Sequence, residues 1–136
     1  MMQAASIRDN WDWVKPLLIR LHERDCERGL PDWIPEDIYS ACINGSAHFY
    51  LVIDGFVVLQ KVPVNNSDKH ALLVWVACSG DPVQNNLIQQ NAQSIKDLAV
   101  SIGAQQVEFY ATRKGYDKII GELGYKFAYS KYVMEV

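Results

Sequence analysis

The sequence predicts an α/β protein with a central mixed sheet and helices on both faces. Three observations carry this. Ala71 to Ala77 is a near-continuous apolar run, Ala-Leu-Leu-Val-Trp-Val-Ala, as suits a strand buried on both faces. Upstream, two β-rich runs flank Asp54-Gly55, a dipeptide that favours a two-residue hairpin. Downstream, Leu87, Ile88, Ala92, Ile95, Leu98, Ala99 and Ile102 recur at helical spacing before the next strand-like run. A strand, a long helix and a second strand in that order make a parallel crossover.

The elements follow in turn. Residues 3–8 suit a short edge strand, and Asp9 or Asn10 can cap the helix behind it. That helix carries Trp11, Val14, Leu17, Leu18 and Leu21 on one face. Pro16 predicts a late start or a kink, and Arg24, Arg28 and Gly29 mark the end. After the proline-bearing stretch 30–35, Pro35-Glu36-Asp37 opens a second helix with Ile38, Ala41 and Cys42 on its apolar face. Strands are expected over 47–53, 56–64 and 71–77. The long helix runs from Asp81-Pro82 to Ile102, where Gly103 stops it. A strand over 107–111, a helix over 115–123 and a last strand over 125–134 complete the chain. Residues 1–136 make one domain by size.

Composition excludes several classes. The formal charge of −3 leaves no basic face of the kind that non-specific nucleic-acid binding needs. No stretch reaches the ~20 apolar residues of a membrane span. Cys26, Cys42 and Cys78 are odd in number and lack a CxxC pair, which reads as free thiols in a reducing cytoplasm. His22 and Cys26 lie one helical turn apart. With no further ligands near them in sequence, no metal is expected.

The ending carries the most specific pattern: Gly103-Ala104-Gln105-Gln106-Val107-Glu108-Phe109-Tyr110, then Arg113-Lys114-Gly115, then the Leu123-Gly124-Tyr125 turn. With the helix before it, this resembles the C-terminal half of GNAT-type N-acetyltransferases. The order of elements matches that superfamily over nearly the whole chain. The resemblance implies acetyl-CoA as cofactor and a small amine or protein as acceptor. It implies that the fourth strand, with Val76 and Cys78, ends at a splay where the pantetheine arm pairs with backbone. The pyrophosphate would then sit on N–H groups at the next helix start, an anion site by geometry and dipole.

The resemblance breaks in that loop. The family's pattern there is Gln or Arg, two residues, Gly, one residue, then Gly or Ala. Here the segment is Ser79-Gly80-Asp81-Pro82-Val83-Gln84-Asn85-Asn86, and Gly80 is its sole glycine. Asp81 would repel the phosphates by about 1 kcal/mol or more. Pro82 removes a donor. Gln84, Asn85 and Asn86 would have to supply the donors instead, and Arg113, with Lys114, either holds a further phosphate of the cofactor or belongs to an exposed turn. Many members carry a tyrosine four residues before the glycine of the closing turn, where it protonates the leaving thiolate. Ile120 stands at that position, and Tyr116, one turn earlier, is its substitute.

Other residues have two readings each. Trp75 is a core residue or a wall for the pantetheine arm. Cys78 is a small hydrophobe or, as the lesser reading, a nucleophile. Glu108 is a general base facing a cleft or a carboxylate paired with a lysine. His48 and His70 flank strands as surface residues, with His70 as an alternative base. Trp11, Trp13 and Trp33 serve either a core beneath two helices or a patch for a protein partner.

Two functions follow from these readings. One is an acyl-CoA-dependent N-acyltransferase with an eroded cofactor loop, weakly active. The other is a non-catalytic binding or virion-assembly module, because short GNAT-like proteins with eroded loops also occur among tailed bacteriophages and prophages. Fold alone does not choose between them.

Overall fold

The computed structural model describes residues 2–28, 33–64, 68–80, 87–109, 123–126 and 134. The elements are β1 (Gln3–Ala4), α1 (Ile7–Arg28), α2 (Pro35–Asn44), β2 (His48–Val52), β3 (Gly55–Pro63), β4 (His70–Ser79), α3 (Leu87–Gln90), α4 (Ala92–Ser101) and β5 (Gln106–Phe109). The five strands lie in sequence order in one sheet. β1 to β4 are antiparallel neighbours, and β5 runs parallel to β4 with Leu72 opposite Val107.

The first helix starts earlier than the caps at Asp9 or Asn10 predict. Ser6 is the capping residue: its Oγ accepts the Asp9 N–H at 3.3 Å, so the edge strand shrinks to two residues. Pro16 does not delay the start of the helix. α1 is continuous through it, and the ring is exposed on the solvent side. α2 opens at Pro35 as predicted. The Asp37 carboxylate reaches back 3.0 Å to the Ile34 N–H, and Gly45 closes the helix at φ 85°.

The hairpin turn is displaced by one residue. Val52 pairs with Gly55, so Ile53 and Asp54 form the turn, with Asp54 at φ 64°. Gly55 therefore belongs to β3, where it packs directly on β4. The long predicted helix is divided at Asn91 into α3 and α4; residues 81–86, its expected first turns, lie outside the described residues. Asn91 is 3% exposed, and its Nδ2 donates to the Leu87 carbonyl at 2.9 Å. That is the carbonyl its own backbone N–H bonds at 3.1 Å, so a side chain intrudes on the helical ladder. Gly103, at φ 76°, ends α4 as predicted. Gly103 N–H bonds Val100 O, and Ala104 N–H bonds Ala99 O, a Schellman closure.

Two cores sandwich the sheet. Beneath α1 and α2 lie Ile7, Val14, Leu18, Trp33, Ile38, Phe49, Phe56, Val58, Val76 and Cys78. Beneath α4 lie Val57, Leu59, Leu72, Val74, Ile95 and Ala99. Helices thus cover both faces, as the apolar run of β4 requires. Val58 pairs with Val76 and Leu59 with Val74, which leaves Trp75 as an extra residue in β4, a β-bulge. The bulge resets the alternation of the strand. Val74 faces α4, yet Val76 and Cys78 both face α1 and α2.

The predicted helix over 115–123 and last strand over 125–134 fall almost wholly outside the described residues. The turn between them is described. Gly124 takes φ 88°, and Tyr125 packs edge-on against Phe109 of β5 at 5.0 Å.

Candidate functional site

The C-terminal end of β4 is where the resemblance puts the chemistry, and three backbone contacts build it. Gly55 lies against β4 so closely that an added Cβ would stand 2.1 Å from the Cys78 carbonyl oxygen. Gly80 N–H donates to the Asp54 carbonyl at 2.6 Å. Ser79 Oγ donates to the same oxygen at 3.4 Å. The β2–β3 turn is thereby fastened to the point where the chain leaves β4.

An open hollow of about 550 Å³ lies at this junction, lined by Trp13, Leu51, Val52, Asp54, Gly55 and Gly80. Trp13 is 39% exposed, and its orientation is fixed twice. Its Nε1–H donates to Asn10 Oδ1 at 2.9 Å, and its ring meets Phe56 edge-on at 5.8 Å. The sequence offers Trp13 only as a core residue or part of a partner patch, and Asp54 only as a turn residue. A tryptophan on a helix and a turn aspartate carry no sequence signal that they will converge.

The predicted site residues fare differently. Val76 and Cys78 are 4% and 6% exposed, with side chains in the core beneath α1 and α2. Among the described residues those two side chains line no slot. The burial of Cys78 agrees with its reading as a small hydrophobe. Trp75 is half-buried at the bulge and packs toward the same core. Glu108 is half-buried on β5, opposite Leu73 and so close to the bulge. Its partner is Gln106, whose Nε2 donates to Oε2 at 2.5 Å, where a lysine was the alternative expectation. Gln84, Asn85, Asn86, Arg113 and Tyr116 lie outside the described residues, as does Tyr110.

His70 does not serve this end of the sheet. It begins β4 while Ser79 ends it, a separation of roughly 30 Å at strand rise. His22 meets Cys26 Sγ at 3.8 Å, and its ring meets Trp33 at 5.4 Å. Among the described residues no group of three or more His, Cys, Asp or Glu could hold a metal ion. The described helices include none long and apolar enough to cross a membrane. The three tryptophans do not form one patch: Trp33 is buried, Trp11 is half-buried against Tyr39 at 4.6 Å, and Trp13 alone is exposed.

No family model matches the sequence, and no curated protein matches it significantly. Solved structures do match. A probable acetyltransferase superposes with a TM-score of 0.72 at 15% identity, over 100% of this chain and 97% of that one. The ribosomal-protein-alanine N-acetyltransferase of Brucella melitensis biovar Abortus 2308 gives 0.67 at 17% identity, over 100% and 99%. An acetyltransferase of Trypanosoma brucei gives 0.69 at 12% identity, again over 100% and 99%. At such identities the likeness speaks for the fold, which is the GNAT fold that the sequence predicts.

Proposed function

We propose that this chain is an acyl-CoA-dependent N-acyltransferase whose hold on its cofactor is weakened. The observation that carries the reading is the bulge at Trp75. It falls between Val74, which pairs with Phe109 of β5, and Val76, and β4 continues beyond it to Ser79. A bulge bends its strand and increases the local twist. Such a bend, in a strand that leads toward residues 81–86, suits an extended ligand arm laid along strand backbone. The described residues fit an acyl-CoA at this one point, and the acetyltransferase names of the matching structures agree with it.

Bound acetyl-CoA would supply an acyl group activated as a thioester. The backbone about Val76 and Cys78 would orient that arm, which turns a bimolecular encounter into a positioned one. Gln84, Asn85 and Asn86 would give donors to the pyrophosphate in place of glycine N–H groups, and Arg113 would meet a further phosphate. Glu108 would take the proton that the acceptor amine sheds, and Tyr116 would return one to the departing thiolate. Each departure of the loop from the family pattern lowers cofactor affinity, so weak activity is expected.

Calorimetric titration with acetyl-CoA, with CoA and ADP as controls, tests the reading. Binding in the micromolar range supports it. Absence of heat and of stabilisation up to millimolar ligand overturns it, in favour of a non-catalytic binding or assembly module, of phage origin or otherwise.

A further inference from the structure

The hollow at the β4 exit combines three kinds of surface. Trp13 gives an aromatic wall, Leu51 an apolar side on the same face of the sheet, and Asp54 an exposed acidic residue beside them. The indole N–H is already spent on Asn10, so what Trp13 offers a ligand is its ring. The Asp54 main-chain carbonyl is spent on Gly80 and Ser79, which leaves its side chain as the polar group on offer. Among the described residues no basic side chain lines the hollow. An anion would meet one negative charge and no positive one. A neutral apolar molecule would leave the carboxylate without a partner.

We propose that this hollow binds an organic ammonium ion, its charge between the Trp13 ring and the Asp54 carboxylate and its carbon stem along Leu51. The ring quadrupole and the carboxylate attract the same cation, and both are held before it arrives. The same charge logic keeps the phosphates of an acyl-CoA out of the hollow, which leaves it to the second reactant. The acceptor would then be a long amine with a second, permanently positive centre held here, its reacting nitrogen roughly 20 Å away, where Glu108 lies opposite Leu73. That last role rests on the acyltransferase reading, whereas the binding itself does not.

Tetramethylammonium is the first probe, because it cannot be acylated. Butylammonium adds the stem, and 1-butanol and butyrate serve as neutral and anionic controls. Binding is read by calorimetry and by the shift of the Trp13 indole N–H resonance. Both cations are expected to bind in the millimolar range, more weakly as salt is raised, while both controls fail. Asp54→Asn should weaken the cations by about fivefold. Asparagine tolerates the left-handed backbone of this turn, so the fold should be unchanged. Trp13→Leu should weaken them by about two- to fivefold. Equal binding of 1-butanol, unchanged affinity in folded Asp54→Asn, or no cation binding at tens of millimolar would overturn the proposal. Cation binding without acetyl-CoA binding would overturn the acyltransferase reading alone; the reverse would overturn the hollow alone.

Discussion

A methyl group on Gly55 would sit 2.1 Å from a main-chain oxygen of β4, and neither strand can move without breaking the register they share. The backbone of Gly55 is not left-handed, so its need for glycine is purely steric. Gly55→Ala should cost on the order of 2–4 kcal/mol in urea unfolding. Gly80→Ala, whose methyl would meet the Asp54 oxygen at 3.4 Å, should cost below about 1 kcal/mol. A second residue-scale effect is a pH dependence. Burial pushes the Cys42 thiol from an ordinary 9.0 up to about 11. The folded state then holds its proton where the unfolded state has lost it. The contribution of Cys42 to stability is full below pH 9 and disappears as pH rises through 11. Tyr50 and Tyr125 are raised by burial as well, so the slope is shared. Cys42→Ala should flatten it in part, as read from urea midpoints across that range. In catalysis, Glu108→Gln should lower turnover by about a hundredfold and leave acetyl-CoA affinity unchanged. A parallel loss of affinity would make Glu108 a structural residue. Legibility at this scale was uneven. Asp54-Gly55 announced a turn, because those residue types favour it. That Gly55 serves a close approach instead depends on β4, which no local pattern encodes.

Elements were the most legible scale where a stripe or a cap fixed them. Val14 and Leu18 are fully buried, as the spacing of α1 predicts, and Pro35, Gly45 and Gly103 stand at the helix ends they mark. Two positions were misleading, because packing overrode local preference. Pro16 removes the N–H that would bond Asp12, yet the helix continues, since Val14 and Leu18 anchor it on either side. Pro16→Ala should therefore stabilise the protein by about 1–3 kcal/mol, measured by urea unfolding. No change would mean that α1 carries the break at no cost. The split at Asn91 escaped a helical periodicity that counts apolar positions alone. A buried amide that bonds the carbonyl one turn back is invisible to it. Asn91→Ala should cost about 1–2 kcal/mol, since the space and the bond are both lost.

At the scale of the molecule, the fold was legible from the order of elements, while the hollow at the β4 exit was not. Order survives at 11–17% identity to the matching structures because a two-faced sheet accepts many apolar residues. A site needs particular side chains at one point in space. Trp13 and Asp54 reach theirs from a helix and a turn that are far apart in the chain. Ligand linkage offers a check that needs no assay of chemistry. Acetyl-CoA at a hundredfold excess over its Kd should raise unfolding stability by about 2.7 kcal/mol, whatever the acceptor.

The sequential strand order also sets how the chain can be made. β2, β3 and β4 join through short connections, so their pairing closes small loops at little entropic cost. β5 reaches β4 only after the whole α3–α4 crossover has been gathered in. The meander should form first and β5 dock after it. Native-state hydrogen exchange should then find the β3–β4 amides protected to the global limit, with β5 opening at lower free energy. β5, the strand that carries Glu108, is thus a part of the sheet that the protein can release without unfolding.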